Sequence, residues 1–273
     1  MTTEHLDLAY SDEEIRDFVE EVVAQPGTER KPRFYAVTGS HIYGFESADS
    51  DIDVRGFHVV PPGEYAYLET PASEVTVNMD GTTEGFEHYA EVDLRSYELR
   101  QFGSLLVDAN YNVLELVFEA PTVMNGVPLE LAALRDLVRE FLPLNVPHAY
   151  LGMAKSNYYK HLDPEKAEGY DRRPKKFLYV YRGLLGAQYV LDHEDIEADV
   201  HRLAETVDGG DPDLVDALVE CKRSAETSAV PEDLESRARD AIASQFNVLD
   251  ELPGPDKSGY RAAIDDWMRK VRA

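Results

Sequence analysis

Two carboxylates set two residues apart, Asp51 and Asp53, and a Gly39-Ser40 pair shortly before them are the residues whose types and spacing could do chemistry. They stand in Tyr35-Ala-Val-Thr-Gly-Ser-His-Ile-Tyr-Gly44 and Ser50-Asp-Ile-Asp-Val-Arg-Gly56. Residues two apart on a strand leave the same face, so Asp51 and Asp53 present their oxygens together. Gly39 lets the backbone turn tightly and approach a ligand without a Cβ in the way. Its N–H group and that of Ser40, at the start of a short helix, form a seat for an anion. A phosphate cradle beside a paired-carboxylate metal site is the equipment of phosphoryl or nucleotidyl transfer.

A calcium loop is the competing reading of the aspartates, and its register excludes it. A loop starting at Asp49 puts Val54 where glycine is needed and Val60 where the bidentate glutamate should stand; one starting at Asp51 puts Pro62 there. The spacing suits Mg²⁺ or Mn²⁺, held by one or two protein carboxylates and completed by water and substrate phosphates. Two-metal nucleotidyl transfer also needs a third carboxylate on a neighbouring strand. Glu87-His-Tyr-Ala-Glu-Val-Asp93 supplies candidates, with Glu87, Glu91 and Asp93 on one face of a strand. Asp93, next to the following helix, is the first choice and Glu91 the second.

The elements that must position these groups follow from pattern. Ser11 and Glu14 form a capping box at the head of a helix whose Ile15, Phe18, Val19, Val22 and Val23 keep a 3.6 period. Strands are predicted at 33–38 and 52–60, and a hairpin from 74–79 and 86–94 around Asp80-Gly81. Ser96 is predicted to cap a helix running through Leu99, Phe102, Leu105 and Leu106, while 111–118 reads equally as helix or strand. After Pro121 and Gly126 the signal is helical throughout, over 129–142, 148–161, 174–191, 196–207, 213–224, 231–252 and 257–271. The expected architecture is α/β (α+β): a mixed-sheet module over 1–125 and a mostly helical domain over 126–273.

The helical half holds one unusual stretch. Between Lys155 and Arg182 lie eight basic residues against four acidic ones, in a chain with 27 Lys plus Arg, 53 Asp plus Glu and a net charge of −26. Helical spacing puts Lys175, Tyr179 and Arg182 on one stripe, and Tyr150, Tyr158, Tyr159, Tyr170 and Tyr181 lie in and around the stretch. Cations interleaved with rings suit a triphosphate or single-stranded nucleic acid. Lys176 and Arg182 are the expected contacts to NTP phosphates. His41 is read as a local hydrogen-bonder, Arg55 as the partner of a nearby carboxylate, and Trp267, Cys221 and Glu115 as packing residues.

The acidic balance itself opposes nucleic-acid binding. It also fits a protein from a high-salt cytoplasm, where salt screens the repulsion and acidic surfaces maintain solubility. One cysteine, Cys221, excludes an intramolecular disulfide and a cysteine zinc cluster and fits a reducing interior. No basic region followed by an apolar core is seen at the first residues, and no apolar run approaches the ~20 residues of a membrane span. The expectation is a soluble cytoplasmic protein without a membrane partner.

Val37-Thr-Gly-Ser40, a gap of ten residues, and Asp51-Ile-Asp-Val54 resemble the signature of the DNA-polymerase-β-like nucleotidyltransferase superfamily. Thr38 departs slightly from it, since that position is usually apolar. Together with Gly39-Ser-His-Ile-Tyr-Gly44 and Asp108-Ala-Asn-Tyr-Asn-Val-Leu-Glu-Leu-Val-Phe118, the pattern looks like one branch, the nucleotidyltransferases associated with RNA repair. The resemblance implies that Gly39 and Ser40 hold a triphosphate, that Asp51 and Asp53 bind both metals, and that an acid near Asp93 completes the site. It implies attack by a hydroxyl on the α-phosphate of an NTP with release of pyrophosphate, an RNA end being the favoured acceptor. The same chemistry on a protein or small molecule, such as a toxin partner, is the first alternative. A catalytically silent nucleotide- or RNA-binding module of the same fold is the second.

Overall fold

The computed structural model describes residues 8–25, 27–47, 50–79, 92–165, 170–224, 228–250, 252, 254 and 259–273. Contacts divide the chain into two compact units: Met1–Ile42, Asp49–Val138 and Ser258–Ala273 form the first, Tyr43–Ala48 and Arg139–Lys257 the second.

The first unit is built on a mixed sheet in the order β3-β4-β2-β1-β5. Its strands are β1 (Lys31–Thr38), β2 (Ile52–Val59), β3 (Glu74–Asn78), β4 (Val92–Glu98) and β5 (Thr122–Asn125). β1 runs antiparallel to β2 and to β5, β3 antiparallel to β4, and β2 and β4 are parallel. The central position of β1 and β2 is reflected in the burial of Phe34–Thr38 and of Gly56–Val59.

Helix α1 (Asp12–Val23) covers one face. Its capping box forms as the sequence predicts: the Ser11 hydroxyl accepts from the Glu14 N–H at 3.3 Å, and the Ser11 N–H donates to Glu14 Oε2 at 2.8 Å. Ile15, Phe18, Val19, Val22 and Val23 pack on Tyr35, Val37, Ile52, Val54, Val92 and Leu94. By alternation the odd-numbered positions of β2 and β4 face the other way. There Phe57 meets Phe102 of α3 (Leu99–Val107) at 4.7 Å and Trp267 of α11 (Tyr260–Arg272) at 6.0 Å between ring centroids.

Some expectations need correction, and the open reading of 111–118 is decided. Ser96 does not cap a helix; it lies inside β4, fully buried, hydrogen-bonded to Tyr35 and, at 2.7 Å, to His58 Nδ1. Glu98 caps α3 instead, its Oε2 accepting from the Arg100 N–H at 2.7 Å while Oε1 accepts from Arg272 at 2.8 Å. The stretch 111–118 is a helix, α4 (Tyr111–Phe118), opened by the Asn110 side chain, and β5 follows it where no strand was expected. The sheet unit also takes in α5 (Pro128–Arg139) as far as Val138 and α11, whose Trp267 indole N–H donates to the Glu130 carbonyl at 2.7 Å. Sequence assigned both helices to the second domain.

The second unit comprises α6 (Leu142–Asn157), a π-helical turn (Tyr158–Leu162), α7 (Pro174–His193), α8 (Val200–Thr206), α9 (Pro212–Ser224) and α10 (Glu232–Val248). Helix α7 is its axis, and most of its side chains from Phe177 to Val190 are buried. The segment starting at Tyr43 belongs here: Lys222 Nζ donates to Ser47 Oγ at 2.8 Å, and Tyr43 and Phe45 stack edge-on against Tyr179.

Candidate active site

The end of β1 and the start of β2 bring Gly39 and Asp53 into contact. Thr38 is the register partner of Asp53, and the chain leaves β1 through Gly39 at φ +72°. Positive φ is open to glycine and costly for other residues. Space gives a second reason: a Cβ at Gly39 would lie 2.1 Å from Asp53 Oδ2 and 2.9 Å from its Cγ. The carboxylate therefore rests directly on the bare backbone of the turn. Ser40 then starts α2 (Ser40–Tyr43), a single turn closed by the Ile42 N–H donating to the Gly39 carbonyl at 3.1 Å.

The parallel pairing of β2 with β4 places Asp93 beside Asp53 as its register partner. By alternation both belong to the face opposite α1, and Asp51, which immediately precedes β2, is near enough to act electrostatically on Asp93. A cleft of about 170 Å³ opens here, lined by Asp53, Arg55, Thr76, Asn78, Asp93 and Arg95 among others. Arg55 lies 3.4 Å from Asp53 Oδ1, the ion pair expected from sequence. Asn78, at the end of β3, donates its amide to Asp93 Oδ2 at 3.1 Å. Burial pushes the Asp93 carboxyl above the usual range, and repulsion from Asp51 and Asp53 adds to it. Three acids thus share one field.

Sequence did not single out Asn78 or Arg95. Asn78 reaches Asp93 only through the antiparallel β3–β4 register, where the two are partners. The alternative third acid, Glu91, and its neighbour Glu87 lie outside the described residues. Among the described residues no three acids, histidines or cysteines converge closely enough to hold a metal ion.

The expected phosphate contacts belong to the second unit, on α7. Lys176 is part-exposed, 4.0 Å from Asp171, and burial followed by nearby cations pushes its ammonium below its ordinary value. Arg182 is fully buried, its guanidinium centred 3.7 Å from the middle of the Tyr43 ring. The row Lys175–Tyr179–Arg182 therefore runs from solvent into the core instead of forming one open stripe. Tyr150 and Tyr181 are buried as well, and Tyr170 is engaged by Glu235 and Arg239.

A model of the RlaP family, described as the RNA repair pathway DNA polymerase beta family, matches residues 14–270. The chain belongs to this family. The match runs through both units. Among curated proteins, one relative is YcgL of Bacillus subtilis (strain 168), described as uncharacterized. It is 29% identical over 223 residues, which are 78% of this chain and 75% of the relative. A solved nucleotidyltransferase-like protein from Exiguobacterium sibiricum 255-15 aligns over 95% of this chain and 74% of its own, at 10% identity and a TM-score of 0.31. The α+β architecture with a mixed sheet is the one expected from sequence. Among the described residues no helix is long and apolar enough to cross a membrane.

Proposed function

We propose that this chain transfers a nucleoside monophosphate from an NTP to an acceptor hydroxyl, releasing pyrophosphate, and that the acceptor is an RNA end. The observation that carries the reading is the pairing of Asp53 with Asp93 across the β2–β4 ladder, hard against the Gly39 turn. The family supports nucleotidyltransferase chemistry, and its RNA-repair description supports the acceptor.

By chemical type the donor set suits a hard divalent cation, although as placed its side chains do not converge on a three-ligand group. Asp51, Asp53 and Asp93 offer only carboxylate oxygens, and their mutual repulsion at Asp93 is what a cation would relieve. These three would hold Mg²⁺ or Mn²⁺, which when bound neutralises phosphate charge and acidifies an attacking hydroxyl. The Gly39 and Ser40 amides would receive the triphosphate. Arg55 and Asn78 hold Asp53 and Asp93 in position and compete with a cation for their oxygens. Lys176 is proposed as a phosphate contact, and Arg182 as a buried support of α7.

The test is calorimetric titration of NTP with and without Mg²⁺, together with a pyrophosphate-release assay on RNA acceptors. Metal-linked binding and release, both abolished by Asp51→Ala or Asp53→Ala, are expected. A wild-type protein that neither binds NTP with metal nor releases pyrophosphate with any RNA or protein acceptor would sink the proposal. A partner protein gaining the mass of a nucleotide would move the chemistry to a protein acceptor. One observation favours a catalytically silent module: the absence, among the described residues, of a converged three-ligand group. Such a module would bind NTP with an affinity indifferent to Mg²⁺.

A further inference from the structure

The second unit carries a cleft of about 380 Å³ that the transfer chemistry does not use. Three rings, Tyr158, Tyr159 and Phe246, contribute to its lining. Tyr158 and Tyr159 sit in the π-helical turn with ring centroids 5.7 Å apart and planes at 73°. Tyr158 also meets Phe246 of α10 edge-on at 5.5 Å. The turn is closed by the Asp163 N–H donating to the Tyr158 carbonyl at 2.9 Å, an i to i+5 bond. Such insertions are rare in helices and gather at functional sites. This one leaves Tyr159 44% exposed, one of the few large rings on the surface.

The polar residues around the rings are of three kinds. Lys155, exposed at the last turn of α6, offers a cation. Asn247 and Asp250, exposed at the end of α10, offer an amide and a carboxylate. Arg239 lies deeper and is already committed: it pairs with Glu235 at 3.1 Å and donates to the Leu162 carbonyl at 3.0 Å.

We infer that this cleft stacks bases of single-stranded RNA. A chain with a net charge of −26 gains little from neutralising phosphates across its surface. Stacking on an aromatic face does not depend on net charge, and every base has such a face. Asn247 can donate and accept at a base edge, Asp250 can accept from an exocyclic amine, and Lys155 can meet one phosphate. The cleft volume falls within the range of small-ligand pockets. The inference rests on the proposal that RNA is the acceptor, and it locates the acceptor strand on the second unit.

The test is fluorescence polarisation of a fluorescein-labelled single-stranded oligoribonucleotide with the full chain, without NTP or divalent metal so that no transfer occurs. Tyr159→Ala weakens binding roughly 5- to 100-fold, the range for one lost stacking partner, while Tyr159→Phe binds like wild type. Lys155→Ala weakens binding and lowers the slope of log affinity against log salt by about 0.7. The duplex of the same sequence binds far more weakly, because its bases are not available to rings. Both positions are exposed, so unchanged circular dichroism and melting are expected. Wild-type protein that does not bind the oligonucleotide, or affinity unmoved by Tyr159→Ala and Lys155→Ala, overturns the inference. Tyr159-dependent RNA binding without any pyrophosphate release overturns the transferase proposal alone. Pyrophosphate release with Tyr159-independent binding overturns the stacking site alone.

Discussion

Replacing Gly39 by alanine tests whether the turn exists to make room for the Asp53 carboxylate. Two separate costs are expected. The φ of +72° is one a Cβ resists, at about 1–2 kcal/mol. The second cost is steric: the new methyl would stand 2.1 Å from Asp53 Oδ2, whereas real Cβ contacts stay above 3.0 Å, so the carboxylate must retreat by about 0.9 Å. Crowding of this kind costs about 1–3 kcal/mol. Gly39→Ala should therefore lower stability by roughly 2–5 kcal/mol in wild type but only about 1–2 kcal/mol in an Asp53→Ala background, where the obstructing carboxylate is gone. Urea unfolding of the four proteins of this cycle isolates the coupling. A coupling under about 0.5 kcal/mol would mean that the two residues are independent, and the packing argument for Gly39 would fall. Because a displacement near 1 Å can cost about 100-fold in rate, Gly39→Ala should also depress pyrophosphate release well beyond its effect on stability.

Asp51→Asn or Asp53→Asn should lower the titration midpoint of Asp93 toward the ordinary range, since each removes a repelling charge; carboxyl-carbon NMR reads it, and an unmoved midpoint would refute the shared field. His58, buried against Ser96, is pushed down to about 4 by burial and then by Arg30. The unfolded chain then binds the proton more readily than the folded one, so stability is complete above about pH 6.5 and declines as pH falls toward 4, by roughly 3 kcal/mol in all. His58→Gln should flatten that slope in urea unfolding at stepped pH, and an unchanged slope would exclude His58 as its source. Arg182→Ala should cost roughly 2–5 kcal/mol through lost packing, and Arg182→Lys should recover only part of it because an ammonium lacks the flat face that stacks on Tyr43. Chemical denaturation checks both; an unaltered midpoint in Arg182→Ala would show that the stack contributes nothing.

Local rules made the first part of the chain readable. The capping box at Ser11, the turn at Gly39 and the alternation through Ile52 and Val54 are each decided by neighbours in sequence, and each stands in the structure as expected. Ser96 was misread because its competitors are remote: Tyr35 and His58 take its hydroxyl into the sheet, and a residue before an apolar run looks the same either way. β5 spans four residues between Pro121 and Gly126, too short for alternation to register, and owes its pairing to β1. On α7, helical spacing gave the row through Arg182 but carried no information on which end of it meets solvent. In the candidate site, Asp51 and Asp53 could be read from spacing, whereas Asn78 reaches Asp93 only through strand pairing.

The discontinuity of the sheet unit bears on how the chain is made. Its strands and α1 are synthesised early, but α11, which carries Trp267 and the Arg272 that grips Glu98 and the Val60 carbonyl, leaves the ribosome only after the whole stretch Arg139–Lys257. Until then Phe57 and Phe102 lack the indole that packs against them. The helical unit, with Tyr43–Ala48 already out, needs nothing C-terminal to Lys257 to complete itself. Vectorial synthesis thus finishes the inserted unit first and leaves the earlier-made strands of the sheet waiting for α11 to seal them.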